Sequence, residues 1–399
     1  MRRFEFIEGG SRKFWEAEVR GSELVVSWGR LGTAGRTQLK SFESTEKAEK
    51  ELAKLVGQKL KKGYEEVGAA DAPAPAPATA SPQAPVGPPP PVAGVSSLGA
   101  PALAPRPLKD YSVETLVEAG SHPALVLGIA VRGKEAVAVG GQGRDLVLIS
   151  KDGKKFSTRK SGGHGLRGAL YRANDELYVV GEYGYCALSR DRGKSWTKLH
   201  RQPRPWHKGE APCLFAVVED EAGRVWTAGD SGYVGRVTSD GAALEPLRLV
   251  DEYLGRIRAT PRGLLMPSDD GHLWLVKDEQ AEKLPLNAKT MLMAVALTPA
   301  GTIVTVGQGG AIFRLPAGAK KAARVAGAPE ALLTGVDVLA DGQVLVVGEG
   351  GTILASVDDG ASFAPVKHRG KKYLWCCRAH GDGALIGGEG GLILRYAPG

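Results

Sequence analysis

Trp28-Gly29-Arg30 is the tripeptide whose residue types come closest to a chemistry of their own, an indole face beside a guanidinium. An aromatic platform flanked by cations is what sequence-tolerant nucleic-acid binding uses: the ring stacks on a base for about 1–3 kcal/mol and the cations meet phosphates. The same residues admit a second reading, in which Trp28 fills a core and Arg30 pairs with a carboxylate such as Glu16 or Glu18. Charge does not separate the two. Residues 1–68 hold 14 basic and 11 acidic residues, a net of +3, and the whole chain of 399 residues carries +8, which alone does not demand a polyanionic partner.

Two further groups of residues bear on binding. Basic and aromatic side chains gather in short polar stretches: Arg159, Lys160 and Arg167; Arg201, Arg204, Trp206, His207 and Lys208; Lys320, Lys321 and Arg324; His368, Arg369, Lys371 and Lys372. The second stretch lies in the widest repeat spacing, 48 residues from Gly181 to Gly229, and extra length in a loop points to function. Partner contact is expected at Arg201, Arg204, Trp206, His207, Lys208, Arg369, Lys371 and Lys372, against the alternative that these cations are solvated surface. Glu182, Asp230, Asp269, Glu349 and Glu389 recur in a second set of turns and nearly complete an acidic ring. Either they form a cation site or a contact ring for a basic peptide, or each accepts amide hydrogens of its own turn.

Constellations for catalysis are missing. The seven histidines show no HxxxH spacing, no GxxxxGK[ST] loop is present, and no arginine cluster with a Tyr/Glu nucleophile is identifiable. Cys186, Cys213, Cys376 and Cys377 have neither CxxC spacing nor a disulfide framework, so they are expected as buried thiols. The reading is therefore not an enzyme, with no cofactor and no metal. No apolar run approaches about 18 residues, and the acidic start at Glu5 forestalls a signal peptide, so a cytoplasmic protein is expected, with no membrane partner.

The elements that must position these residues come from the pattern. Residues 69–108 are rich in Pro and Ala with almost no charge, the composition of a stiff tether reaching at most about 3.1 Å per residue. Before it, strands at residues 14–20, 23–28 and 38–42 lead to a helix with Ser44 as N-cap, Glu46 in the first turn, Gly63 as stop, and Ala48, Leu52, Leu55, Val56 and Leu60 on one face. After it, an apolar strand ending in Gly, a turn ending in Gly and a further apolar strand recur seven times at about 40 residues, the period of a propeller blade. The second-strand endings run from Val139-Gly140, Val180-Gly181 and Ala228-Gly229 through Met266-Pro267 to Val306-Gly307, Val347-Gly348 and Gly387-Gly388. The last copy lacks an outer strand, and residues 111–117 are expected to supply it, because an open ring would expose strand edges. The fold class is mainly β: a seven-bladed β-propeller over 109–399, preceded by a small α+β domain over 1–68.

Several residues carry family resemblances. Ser189-Arg190-Asp191-Arg192-Gly193-Lys194-Ser195-Trp196, Ser356-Val357-Asp358-Asp359-Gly360-Ala361-Ser362-Phe363 and a shorter Ser150-Lys151-Asp152-Gly153-Lys154-Lys155-Phe156 resemble the Asp-box. With the repeat, they make the segment after the tether look like propellers of the photosystem-assembly-factor kind. That resemblance implies the fold and a protein partner. Ser11-Arg12-Lys13-Phe14-Trp15, Ser27-Trp28-Gly29-Arg30-Leu31-Gly32-Thr33, Lys40-Ser41-Phe42 and the run from Leu55 to Tyr64 resemble the WGR domain of DNA-damage-activated poly(ADP-ribose) polymerases and of stand-alone bacterial proteins. The resemblance implies a grip on DNA ends or breaks, with Trp28 as the stacking platform, Arg30 as the motif arginine, Lys13 on a phosphate, and Arg12 and Lys40 nearby. Arg12 departs from the polar amide residue often found there, which adds charge. DNA is expected rather than RNA, and a scaffold joining nucleic acid to a protein is the expected function. The alternative is a protein-only adaptor or assembly factor, toxin-associated ones included, with no nucleic-acid role.

Overall fold

The computed structural model describes residues 2–8, 11–30, 36–60, 64–67, 106–118, 125–141, 145–199, 212–247 and 249–399. The chain divides into two compact units, Met1–Pro89 and Pro90–Gly399.

In the first unit, Arg2–Glu8, Ser11–Arg20, Glu23–Arg30 and Arg36–Ser41 form an antiparallel meander. Glu65–Val67 returns beside the first strand as the fifth member of the sheet. Thr45–Leu60 is the helix, and the Ser44 hydroxyl accepts the Lys47 amide at 3.3 Å, as an N-cap does. Phe4, Trp15, Ala17, Leu24 and Val26 from the sheet meet Val56 of the helix in one buried cluster, with Leu52, Leu55, Phe42 and Tyr64 around it. Ala48 is fully buried. The expected apolar face holds except at its end: Leu60, the last residue of the helix, is 49% exposed. The expected stop, Gly63, lies outside the described residues. The strands Arg2–Glu8 and Glu65–Val67 were not expected from the sequence.

In the second unit, seven four-stranded antiparallel sheets follow one another as blades. Their inner strands are Val126–Arg132, Leu166–Tyr171, Leu214–Glu219, Arg258–Thr260, Leu292–Leu297, Leu333–Val338 and Leu374–His380. Each is followed by a second strand ending where the sequence pattern placed it, from Glu135–Gly140 in the first blade to Gly383–Gly388 in the last. Facing sheets bury mainly Val, Leu, Ile and Ala between them, as in the cluster that joins blades five and six through Val304, Val306, Val336 and Val346.

Ring closure is made by the strand Tyr111–Val117, which pairs antiparallel with Ile393–Pro398 as the outer strand of blade seven. Tyr111 stacks on Tyr396 with ring centroids 4.6 Å apart, donates its hydroxyl to Asp341 at 2.8 Å, and Gly399 N–H reaches Asp110 O at 2.8 Å.

The Asp-boxes tie down the turns between third and fourth strands. Ser189 Oγ takes the Gly193 amide at 2.7 Å, and Asp191 takes the amides of Lys194 and Ser195 at 3.0 and 2.8 Å and the Ser195 hydroxyl at 2.6 Å. The Ser195 hydroxyl, followed by these amides, holds the Asp191 carboxyl down at about 2. Ser356 and Asp358 repeat the arrangement in blade six, and the box aromatics Trp196 and Phe363 pack against buried clusters between blades. Gly193 has φ +74°, and a Cβ there would stand 2.6 Å from Ile149 Cδ1, so both turn and packing require glycine.

Candidate functional site

In the first unit the register of the central strands sets the candidate nucleic-acid residues. Lys13 is the direct partner of Arg30, Trp15 of Trp28, and Glu16 of Ser27. Trp28 is also paired with Arg36, Arg12 with Ile7, and Lys40 with Leu24. Neither Glu16 nor Glu18 stands opposite Arg30 in this ladder; the position opposite belongs to Lys13. Lys13, Trp28 and Arg30 thus occupy adjoining register positions at one end of a strand pair, next to buried Trp15. Over that end the Lys59 ammonium lies 5.5 Å from the Trp15 ring and 4.8 Å from the Tyr64 ring, a cation held on aromatic faces. The side chains of Arg12, Lys13, Trp28, Arg30 and Lys40 lie outside the described residues.

In the propeller, one hydrogen bond repeats in every blade. The residue that opens the turn after the second strand donates its N–H to a carbonyl ahead of the inner strand, immediately before it in six blades and five residues before it in blade four: Gly141 to Leu125, Glu182 to Gly165, Asp230 to Cys213, Asp269 to Tyr253, Gln308 to Met291, Glu349 to Leu332 and Glu389 to Tyr373. Three acidic residues also return the bond. Asp269 Oδ1 accepts Tyr253 N at 3.1 Å, Glu349 Oε2 accepts Leu332 N at 3.2 Å and Glu389 Oε2 accepts Tyr373 N at 3.4 Å. The expectation that each carboxylate accepts amides of its own turn holds for Asp269, which takes those of Asp269 and Asp270, and the pairing across to the neighbouring loop adds to it. Turn amides such as those of Tyr185 and Thr352 already serve turn carbonyls, so the carboxylates reach across to the neighbouring loop. Glu182 instead binds the Arg167 guanidinium at 2.9 Å.

A second repeat concerns the inner strands. In six blades the ladder slips by one residue at the strand's second position, between Val126 and Gly128, Leu166 and Gly168, Leu214 and Ala216, Leu292 and Ala294, Leu333 and Gly335, and Leu374 and Cys376. A bulge leaves its extra residue unpaired and re-aims it. The bulged residues are Leu127, Arg167, Phe215, Met293, Thr334 and Trp375. Blade four has Arg256 near the corresponding place, and its Nη1 and Nη2 donate to Thr334 O and Leu127 O, both at 2.8 Å. Further along the inner strands, Arg258 bonds Asp337, whose carboxylate also accepts the Ala379 amide at 2.9 Å and has Arg378 Nη1 3.9 Å away. Burial, together with the charge of Arg378, pushes Arg258 down to about 9, and burial also lowers Arg256 and Arg378.

The expected partner residues divide. Arg369, Lys371 and Lys372 are exposed, with Lys372 Nζ 3.9 Å from Glu389. Arg201, Arg204, Trp206, His207 and Lys208 lie outside the described residues. Arg167, read from sequence as a loop cation, is a bulge residue paired with Glu182, a placement that only the register slip reveals. The four cysteines are free thiols. Cys186 and Cys376 are buried, whereas Cys213 and Cys377 are only partly so. Burial raises Cys186 and Cys377 to about 12 and Cys213 and Cys376 to about 11, which makes all four poor nucleophiles at neutral pH.

Sequence reasoning missed Glu252. Against the upward push of burial, donors from Ser268 at 2.6 Å, Trp274 Nε1 at 2.9 Å, Lys283 and His272 hold its carboxyl at about 2. Glu252 lies close to Asp270 and His272, but its oxygens are committed to these donors. It ties together blade four, whose second strand ends in Pro267 instead of glycine.

Residues 1–71 are a WGR domain, and the remainder of the described chain is a seven-bladed β-propeller. Over 66 residues the chain is 46% identical to Protein YehF of Escherichia coli (strain K12), and over 65 residues 40% identical to the uncharacterized protein YfeS of the same strain. Each match covers 16% of this chain, with 24% and 27% of the respective relative, so the chain spans about a quarter of the curated relatives it matches. The propeller is similar in fold to YCF48 bound to D1 peptide, with TM-score 0.58 and 19% identity over 74% of this chain and 99% of that one. YCF48 from Cyanidioschyzon merolae gives 0.56 and 16% over 72% and 98%. Virginiamycin B lyase from Staphylococcus aureus gives 0.62 and 11% over 72% and 99%. At these identities the likeness concerns the fold. Among the described residues, no helix is long and apolar enough to cross a membrane.

Proposed function

We propose that this protein is a non-enzymatic scaffold in which the WGR domain contacts DNA, at ends or breaks, and the propeller recruits a protein. The observation that carries the reading is the WGR match over residues 1–71, a domain generally associated with nucleic-acid binding. The register that brings Lys13, Trp28 and Arg30 to adjoining positions supports it. Trp28 stacks on an exposed base, while Arg30 and Lys13, with Arg12 and Lys40, meet phosphates. On the propeller, Arg369, Lys371 and Lys372, together with Arg201, Arg204, Trp206, His207 and Lys208, supply partner contacts. Fluorescence anisotropy with nicked, blunt and single-stranded DNA tests the first half: wild type binds in a salt-dependent way, and Trp28→Ala or Arg30→Ala weakens binding at least tenfold. Absent or salt-independent binding by wild type removes the nucleic-acid role.

A protein-only adaptor is the second reading, favoured by the propeller's likeness to a YCF48 structure that holds a peptide. Recovery of one stoichiometric partner from nuclease-treated lysate, with no DNA binding in the anisotropy assay, selects it.

A further inference from the structure

The channel end where the inner strands begin holds a cavity of about 460 Å³ lined by Leu125, Leu127, Gly141, Arg167, Tyr373, Trp375 and Glu389. Three of these, Leu127, Arg167 and Trp375, are bulge residues. The slip in each ladder therefore delivers the lining.

Two nitrogens of this lining have no acceptor, Arg167 Nε and Trp375 Nε1, and both are shielded from solvent. Shielded N–H groups without partners are costly and rare in folded proteins. Glu182 occupies Arg167 Nη2 and the Cys213 thiol is a second partner of the same guanidinium, which leaves its Nε without an acceptor. Arg256, whose guanidinium rests on the carbonyl of the lining residue Leu127, is held by backbone carbonyls and by no carboxylate among the described residues. The site therefore has donors to spare, while the charges of Arg167 and Arg256 are matched by those of Glu182 and Glu389.

Its walls are otherwise those of a peptide site. Tyr373 and Trp375 stack at 4.1 Å with 13° between their planes, and Leu125 and Leu127 add apolar surface. Glu389 at the mouth and Glu182 beside Arg167 oppose a chain of repeated negative charges. A single carboxylate on an apolar body meets both demands, whereas a phosphodiester strand does not.

We infer that this mouth binds a carboxylate of a partner polypeptide, from its C-terminus or from an Asp or Glu side chain, with Arg167 and Trp375 as the donors. The inference rests on the reading that the propeller recruits a protein, and names the group it recognises.

The test immobilises the full chain and offers random hexapeptide mixtures in four forms: free or amidated C-terminus, with or without Asp and Glu. Retained peptides are quantified by mass spectrometry. Acid-bearing peptides are enriched about tenfold over amidated, acid-free ones, the gain of one charge-assisted contact. Comparing the two acid sources shows which carboxylate is read. Arg167→Gln abolishes the enrichment, Trp375→Phe, which keeps a ring but removes the N–H, lowers it about threefold, and the exposed control Lys277→Gln leaves it unchanged. Circular dichroism establishes that each variant is folded; if Arg167→Gln is not, Trp375→Phe decides. Equal retention of acid-free amidated peptides, or enrichment that survives both substitutions, overturns the site. Displacement of the peptides by a single-stranded dodecanucleotide that itself needs Arg167 overturns it in favour of nucleic acid. A stoichiometric protein partner captured regardless of Arg167 overturns this site and leaves the recruiting role standing.

Discussion

Arg256 at the start of blade four donates to the carbonyl of Thr334 in blade six, Nη1 to O at 2.8 Å, and with its other terminal nitrogen to Leu127 in blade one. Both acceptors are bulge residues, whose place in the ladder is disrupted. One side chain thus ties three inner strands across the channel, and it comes from the blade in which no such slip occurs. Arg256→Met leaves these carbonyls without their charged donor and costs about 2–4 kcal/mol. Chemical denaturation of the variant shows the loss as a lower midpoint with an unchanged slope.

Closure depends on the strand Tyr111–Val117. Removing residues 1–105 leaves the propeller's melting temperature within a few degrees of the parent. Removing residues 1–118 takes away the partner of Ile393–Pro398 and uncovers Tyr396, which is fully buried. That truncation melts at least about 10 °C lower or aggregates, since it exposes an unpaired apolar edge. Parallel melting curves for the two truncations decide the matter.

Glu252 makes blade four sensitive to acid. Its folded carboxyl sits at about 2 against an ordinary 4.5, so its contribution is complete above about pH 4.5 and disappears as pH falls towards 2. The full contribution is about 3 kcal/mol. In Glu252→Gln the difference in unfolding free energy from wild type is expected to shrink across that window, as followed by denaturation at pH 7, 4 and 3.

The nucleic-acid reading sets a salt dependence. Every cation withdrawn from a phosphate reduces the slope of log affinity against log salt by about 0.7–0.9. Lys13→Ala is expected to lower the slope by about one such step, whereas Trp28→Ala weakens binding while leaving the slope nearly unchanged, because stacking releases no counterion. Anisotropy titrations at three salt concentrations separate the two effects.

Much of the propeller was legible because its repeat is written in local terms. Each second strand is a short apolar run, and the turn glycines mark where it stops. Blade four is legible by spacing alone, since Met266-Pro267 stands where its siblings have glycine, and nothing in that stretch announces Glu252 as the compensating tie. The bulges were invisible because a one-residue slip leaves no mark on composition. Arg167 consequently read as one more loop cation. In the WGR domain, Glu65–Val67 is too short to show a period, and Arg2–Glu8 carries its apolar residues Phe4, Phe6 and Ile7 too irregularly to show strict alternation. Ser44 was legible because a cap is a local device, and the pairing of Lys13 with Arg30 was not, because it depends on register.

The outer strand of blade seven is made from residues that leave the ribosome long before their partner strand, 287 positions by the separation of Tyr111 from Pro398. Throughout synthesis both this early segment and the growing edge of the incomplete ring lack their native neighbour. Such distant pairing makes the final step slow and leaves an edge open to wrong partners. The nascent chain is therefore most vulnerable to proteases and to self-association just before its last strand emerges, and a chaperone that shields strand edges would raise its yield more than one that shields loops.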